Sequence, residues 1–285
     1  MATPRVLPLL FSLALAAGGY TSIYGESMIS RAEPRHAKSA TAMRCEAPDT
    51  LLENATREYK RVALTFDACS SGEYRFDREV YDVLDSMRVR ATIFLGGEWV
   101  EKNRRTAHMI AANPLFEVAT HGYHHPHLPK LSDAEVAWEI AQGQAAVFRE
   151  LSVFPRLFRA PFGEINARVL AVAKQQGVTM VQYDLPSGDP DPLLKPDKIV
   201  RWVVDNARGG SIVVFHINKN GVHTRHTLPK VVAELRSKGF ELVTVSELRD
   251  QPVTFTDGAY SYDPIVEAAP AGGMRIAAVG SAASK

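Results

Sequence analysis

Cysteine is scarce: Cys45 and Cys69 are the only two in 285 residues, so at most one disulfide can brace the chain and its stability must come from a packed core. Net charge is scarce too. Lys and Arg total 33 against 32 Asp and Glu, a formal balance of +1 that gives no reason for nucleic acid or an anionic membrane surface as the main partner. Long apolar runs are absent except for residues 6–17, which follow Arg5 and are shorter than the ~20 residues needed to cross a bilayer. Ala14-Leu15-Ala16 supplies the small-x-small pattern of a signal-peptidase site, so residues 1–17 read as a cleaved export signal. The mature protein is then expected to be periplasmic or secreted, with no stable membrane span.

What the chain has in quantity is apolar surface, 46% of its residues, enough for one large α/β domain. Residues 18–60 are polar, mixed and without sustained periodicity, and read as a linker or N-terminal arm. From residue 61 to 250, apolar β-branched runs alternate with amphipathic segments. Residues 62–66, 91–95, 116–120, 157–160, 178–183, 211–215 and 241–245 read as seven strands. Phe76, Val80, Val83, Leu84 and Met87 share one face of the first helix, and Leu228, Val231, Val232 and Leu235 repeat that pattern in the last. Ser132 and Glu135 form a capping box, with Leu131 and Val136 spaced as its hydrophobic staple. Near-continuous apolar strands between helices call for a parallel sheet covered by helices, and their number favours a (β/α) barrel of about seven parallel strands. Residues 251–285 read as a C-terminal tail, disordered at its Ala-, Gly- and Ser-rich end.

Chemistry concentrates in residues 120–127, where four imidazoles occupy seven positions behind an apolar run. His121 and His125 have metal-ligand spacing. Gly122 stands where the helical metalloprotease motif requires Glu, and Pro126 follows the second His, which excludes that motif. Other polar residues fall at the carboxyl ends of predicted strands: Asp67, Arg159, Asp184, Asp189 and His216. In parallel α/β folds those ends share one rim, where ligand sites form.

Five segments in register carry a family resemblance: residues 62–67, VALTFD; 121–126, HGYHHP; 159–163, RAPFG; 184–189; and 212–216, IVVFH. In that order they resemble the motifs of the polysaccharide deacetylases, carbohydrate esterase family four, and residues 91–97 look like that family's second strand. The resemblance runs from about residue 61 to 248. It implies a distorted (β/α) barrel and metal-dependent removal of acetyl groups from a polysaccharide built on N-acetylglucosamine, peptidoglycan included. Matched position by position, it assigns Asp67 as catalytic base, His121 and His125 as ligands of a divalent metal with zinc expected, Arg159 as the residue orienting the base, and His216 as general acid. Asp189 is placed to raise the pKa of His216. The rim loops make Tyr123, Pro161 and Phe162 candidates for lining a sugar groove, whereas Trp99, Trp138 and Trp202 are expected to pack.

One position departs from the pattern. Ala68 stands where the family's Thr-Phe-Asp-Asp motif places a third metal ligand, and a methyl group coordinates nothing. A working site then needs a donor from Asp67, Cys69, His124 or His127, unless Cys69 is engaged in a disulfide with Cys45. The competing reading is a glycan-binding barrel that has lost its metal.

Overall fold

A computed structural model describes residues 51–69 and 74–250. The expected export signal, most of the expected arm with Cys45, and the expected tail lie outside them. Nine strands form one sheet: β1 (Leu51–Leu52), β2 (Arg61–Ala68), β3 (Ala91–Leu95), β4 (Phe116–Thr120), β5 (Leu157–Phe158), β6 (Thr179–Val181), β7 (Leu185–Pro186), β8 (Ser211–His216) and β9 (Glu241–Val243). Their order is β1-β6-β5-β4-β3-β2-β8-β7, with β9 on β2, and every pairing is parallel. Just past β1, Asn54 bridges to Ser211 and the Ala55 N–H donates to the Gly210 carbonyl at 2.8 Å, so the sheet curls back on itself.

All seven expected strands form, and two short ones join them. Leu51–Leu52 pairs with β6, and Arg57 reaches Asp184 and the Gly209 carbonyl. Residues 51–60, assigned from the sequence to the arm, are therefore tied to the sheet, Leu51–Leu52 as a strand and the rest through the Asn54 bridge and Arg57. A two-residue strand is too short to show a period, which hides it from pattern reading.

Among the described residues eight α-helices cover the sheet: α1 (Arg78–Ser86), α2 (Gly97–Lys102), α3 (Arg104–Ala111), α4 (Asp133–Leu151), α5 (Ala167–Gln175), α6 (Pro196–Asn206), α7 (Thr224–Ser237) and α8 (Val245–Arg249). The capping box that starts α4 is present in full, with the Ser132 side chain and the Glu135 carboxylate satisfying each other's backbone N–H. Side chains alternate across β2. Val62, Leu64, Phe66 and Ala68 pack outward with the buried faces of α1 and α7, including Val80, Leu84, Val231 and Leu235. Ala63 turns inward to meet Phe94, Ala119, Leu157, Val181, Ile212 and Val243, one residue from each surrounding strand. This inner cluster fills the barrel and sets the floor beneath the site.

Candidate active site

Alternation on β2 puts Asp67 on the inner face at the strand's carboxyl end, two residues above Thr65 and four above Ala63. Its Oδ1 accepts a hydrogen bond from Arg159 Nη1 at 2.8 Å, and both side chains are buried. Arg159 also donates to the carbonyls of Val181 and Gln182, each at 3.3 Å, and lies over the Phe94 ring at 4.0 Å. Burial pushes the Asp67 carboxyl up, but the charge and hydrogen bond of the Arg159 guanidinium, with the His216 charge, outweigh it and hold the group below the usual carboxylate range.

The histidine loop follows β4. Gly122 has φ +78°, and the Gly122 carbonyl accepts from Gly97 N–H at 2.8 Å, tying the loop to α2. A side chain at Gly143 of α4 would strike the Gly122 backbone at 2.7 Å, so that glycine is what allows the helix to approach. Glu139, one α4 turn away, fixes the loop through three acceptances: Tyr123 N–H at 3.0 Å, His124 N–H at 2.9 Å and His124 Nδ1 at 2.9 Å. Sequence reasoning missed Glu139. Its signal is a carboxylate set on the apolar stripe Val136, Ile140 and Val147, where an unpartnered charge would be costly.

The structure brings His121 and His125 together, with ring centroids 4.8 Å apart. His121 Nδ1 lies 2.9 Å from the Arg159 carbonyl, which can only accept, so Nδ1 carries the proton and Nε2 keeps its lone pair. That nitrogen faces Asp67 Oδ2 at 3.7 Å. Burial, partly offset by the Asp67 charge, drives the His121 pKa down to about 3, and burial lowers that of His125 as well. Both imidazoles are neutral near pH 7. His216 is the opposite case. Burial would lower its pKa, but the Asp189 carboxylate, 3.1 Å from Nδ1, raises it to about 9. Asp189 is itself held by Ser187 Oγ at 2.9 Å, by the His216 N–H at 2.8 Å and by the Thr224 hydroxyl.

Asp67, His121, His125, Asp189 and His216 line one cleft of about 490 Å³, joined by Cys69, Phe162, Tyr183, Ser187 and Asn220. Several expected placements do not hold. Asp184 is not at the rim: it pairs with Arg57 at 2.9 Å and caps the amino end of β8 through Ile212 N–H at 2.8 Å. Tyr123 turns away to donate to Glu101 at 2.9 Å, and Pro161 is buried outside the cleft lining, because the rim loops fold their first residues back against α2 and the sheet. Trp99 is fully buried as expected, but Trp138 and Trp202 are 43% and 50% exposed, since the helix faces that carry them are not covered.

The donor set can be tested against a divalent cation. A neutral imidazole lone pair opposed to a carboxylate oxygen, with no proton between them, is an arrangement that a cation or its bound water relieves. His125 Nδ1 is buried with no hydrogen-bond partner among the described residues, a second donor in want of a proton or an ion. The residues therefore fit such an ion in kind. No three His, Cys, Asp or Glu side chains among the described residues are already gathered around one point as a bound ion would hold them. Of the extra donors the sequence offered, His124 is turned to Glu139, His127 to Glu164 at 2.8 Å, and the Cys69 sulfur accepts from Asn220 Nδ2 at 3.2 Å. Ala68 faces the helices.

A curled parallel barrel with a carboxylate–guanidinium pair, two neutral imidazoles and a charged one around a single mouth defines an α/β protein equipped for acid–base chemistry. A family model described as polysaccharide deacetylase matches residues 54–181. The peptidoglycan-N-acetylglucosamine deacetylase of Bacillus cereus is 32% identical over 66% of this chain and 88% of its own length. PgdA of Listeria monocytogenes, named for the same activity, is 33% identical over 66% of this chain, which spans only 39% of that relative. Among solved structures, the Bc1960 peptidoglycan N-acetylglucosamine deacetylase superposes with TM-score 0.65 at 27% identity, covering 70% of this chain and 92% of its own. A mutant of BA3943, a CE4 family pseudoenzyme with restored enzymatic activity, superposes with TM-score 0.63 at 25% identity, covering 70% and 71%. The chain belongs to the polysaccharide deacetylase family.

Proposed function

We propose that this protein hydrolyses acetyl groups from an N-acetylglucosamine-containing polysaccharide, with peptidoglycan and chitooligosaccharides the first candidates, and that it does so with a divalent metal. The observation that carries the reading is the convergence of Asp67–Arg159, His121–His125 and His216–Asp189 on one cleft in a chain of this family. His121 and His125 would hold the cation, zinc by the preference of imidazole donors. When bound, the ion supplies an electrophile for the acetyl oxygen and a more acidic water.

The protein's own groups do the rest. Arg159 occupies Oδ1 of Asp67 and leaves Oδ2 open toward the imidazoles, so Asp67 is aimed as the base that takes a proton from the attacking water. His216, charged at neutral pH through Asp189, protonates the nitrogen that leaves as the acetyl carbon–nitrogen bond breaks. Phe162 lines the cleft and meets the sugar. Residues 6–17 support an exported location, which the amino-terminal residue of the mature protein would check.

Acetate release from chitooligosaccharide and peptidoglycan, with and without chelator, tests the proposal. Release that stops on chelation and returns with zinc is expected, and no acetate from either polymer overturns it. The missing donor at Ala68 favours one rival, a glycan-binding barrel without metal. That rival predicts unchanged glycan binding after chelation and no acetate.

A further inference from the structure

Leu193 is 90% exposed, more than any other large apolar side chain among the described residues. A single exposed leucine is ordinary, but this one is fixed in place. Pro190, Pro192 and Pro196 stiffen the segment between β7 and α6, the Asp191 carboxylate accepts the Leu193 N–H at 2.9 Å, and Leu194 lies over Gly188, where a side chain would meet it at 2.8 Å. Trp202, on the second turn of α6, is 50% exposed, and its indole N–H donates to the Pro186 carbonyl at 2.8 Å. That ring can leave water without stranding a donor. Pro186 and Pro190 both line the cleft, so the segment bearing Leu193 and the ring of Trp202 start from its edge.

The charges beside these two residues are of one sign. Lys195, Lys198 and Trp202 fall at i, i+3 and i+7 and share a stripe that starts at the N-cap of α6, with Arg201 next to it. All three cations are exposed, and none pairs with a carboxylate among the described residues. The carboxylates along this helix are already matched: Asp197 by Lys230 at 3.5 Å and Asp205 by Lys238 at 3.3 Å. Asp191 alone opposes Lys195, Lys198 and Arg201, so a chain whose whole charge is balanced carries a local positive surface here. An aliphatic tip, an indole with its N–H satisfied and a fringe of free cations suit a bilayer: the apolar groups reach the acyl boundary, and the cations meet phosphate above it.

We infer that this face docks on an anionic phospholipid surface, with Leu193 and Trp202 as apolar anchors and Lys195, Lys198 and Arg201 as the electrostatic contacts. Because Pro186 and Pro190 belong to the cleft as well, docking turns the cleft's edge toward saccharide held at that bilayer. A charge patch alone would serve any polyanion. The rigid, almost fully exposed leucine separates the cases, since a soluble polyanion gives it nothing to enter. The inference goes beyond the hydrolase reading, and its test reads no turnover, so either can fail alone.

The test is binding of the full chain, carrying Trp138→Phe, to vesicles of phosphatidylglycerol and brominated phosphatidylcholine. Trp99 is fully buried, so quenching by the bromines reports Trp202 whichever other segment reaches the lipid. Quenching is expected on these vesicles, with little on neutral ones, and it should fall steeply as salt rises from about 0.1 to about 0.5 M. Lys198→Glu with Arg201→Glu should weaken binding at least about tenfold, since each cation at an anionic surface is worth about fivefold. Leu193→Asp should weaken it about tenfold, and Leu193→Met, which keeps the apolar tip, should bind as the parent does. Vesicle binding with Trp202 unquenched, quenching that survives both charge reversals, or equal losses for Leu193→Asp and Leu193→Met overturn the inference. Shielding of Trp202 from iodide by polyglutamate but not by vesicles overturns it in favour of an acidic protein partner.

Discussion

Arg159 donates to Oδ1 of Asp67 at 2.8 Å from a side chain with no solvent exposure, so the central ion pair of the site is also a buried ion pair of the barrel. Removing one partner of such a pair costs about 3–5 kcal/mol because the other charge is stranded. Arg159→Met should therefore destabilise by that order in urea unfolding at pH 7.5. The sign with pH follows from Asp67, whose depressed folded pKa gives stability present above the unfolded value and lost as pH falls through the folded one. Without Arg159, burial pushes the carboxyl up, so the gap between parent and variant should widen from pH 4 to pH 7.5. A gap that is constant over that range would refute the coupling.

His216 and Asp189 set an alkaline limit. The pKa of about 9 means His216 is charged, and able to donate, up to that pH. Its contribution to stability is complete below the unfolded value near 6.5 and lost as pH rises through about 9. Asp189→Asn leaves burial as the leading influence, so the alkaline limb of kcat should move down toward or below pH 6.5. Titration of the His216 ring proton by NMR checks the shift independently of activity.

Asp67 and His121 should separate by role. His121→Ala is expected to lower zinc affinity by at least about a hundredfold in competition with a chelator, as for a lost ligand. Asp67→Asn should keep affinity within about tenfold of the parent and still abolish acetate release. A loss with Asp67→Asn as large as that with His121→Ala would make Asp67 a ligand and remove it as the base.

Ala68→Asp restores the family's usual residue but not its environment. Position 68 packs in the outer cluster with Phe66 and Leu95, so a carboxylate there should destabilise by about 3 kcal/mol or more. It should not tighten zinc binding. A stable variant with higher zinc affinity would show that the strand end can turn inward.

Glu139→Ala should loosen the histidine loop, since three donors lose their acceptor and each stranded group costs about 1–3 kcal/mol. Zinc affinity should fall about 10- to 100-fold although Glu139 touches no proposed ligand, the usual effect of lost outer support. Glu139→Gln, which keeps one acceptor, should recover part of it.

Much of the fold was legible because its signals are local. The apolar runs at 62–66, 91–95 and 211–215 became strands, and Ser132–Glu135 started α4 where the capping box placed it. The short strands β1 and β7 were not, since two residues carry no period and form only because the curled sheet presents partners to them. Of the site, Asp67, Arg159, His121, His125 and His216 were named from strand ends and motif spacing, and they do meet. Tyr123, Asp184 and Trp138 were misplaced because spacing says where a residue begins, not which way its loop turns.

The amino-acid sequence by itself determined the parallel β/α order and the set of acid, base and imidazole groups, because period, caps and residue chemistry are properties of short segments. Only the tertiary structure decided which of those groups face one another: that Asp67 pairs with Arg159, that Ala68 looks to the helices, that Glu139 holds the histidine loop and that His127 stacks on Phe162. Such pairings depend on the pleat of one strand, the curl of the sheet and the approach of α4 across Gly143, and each of these is fixed by packing between segments far apart in the chain.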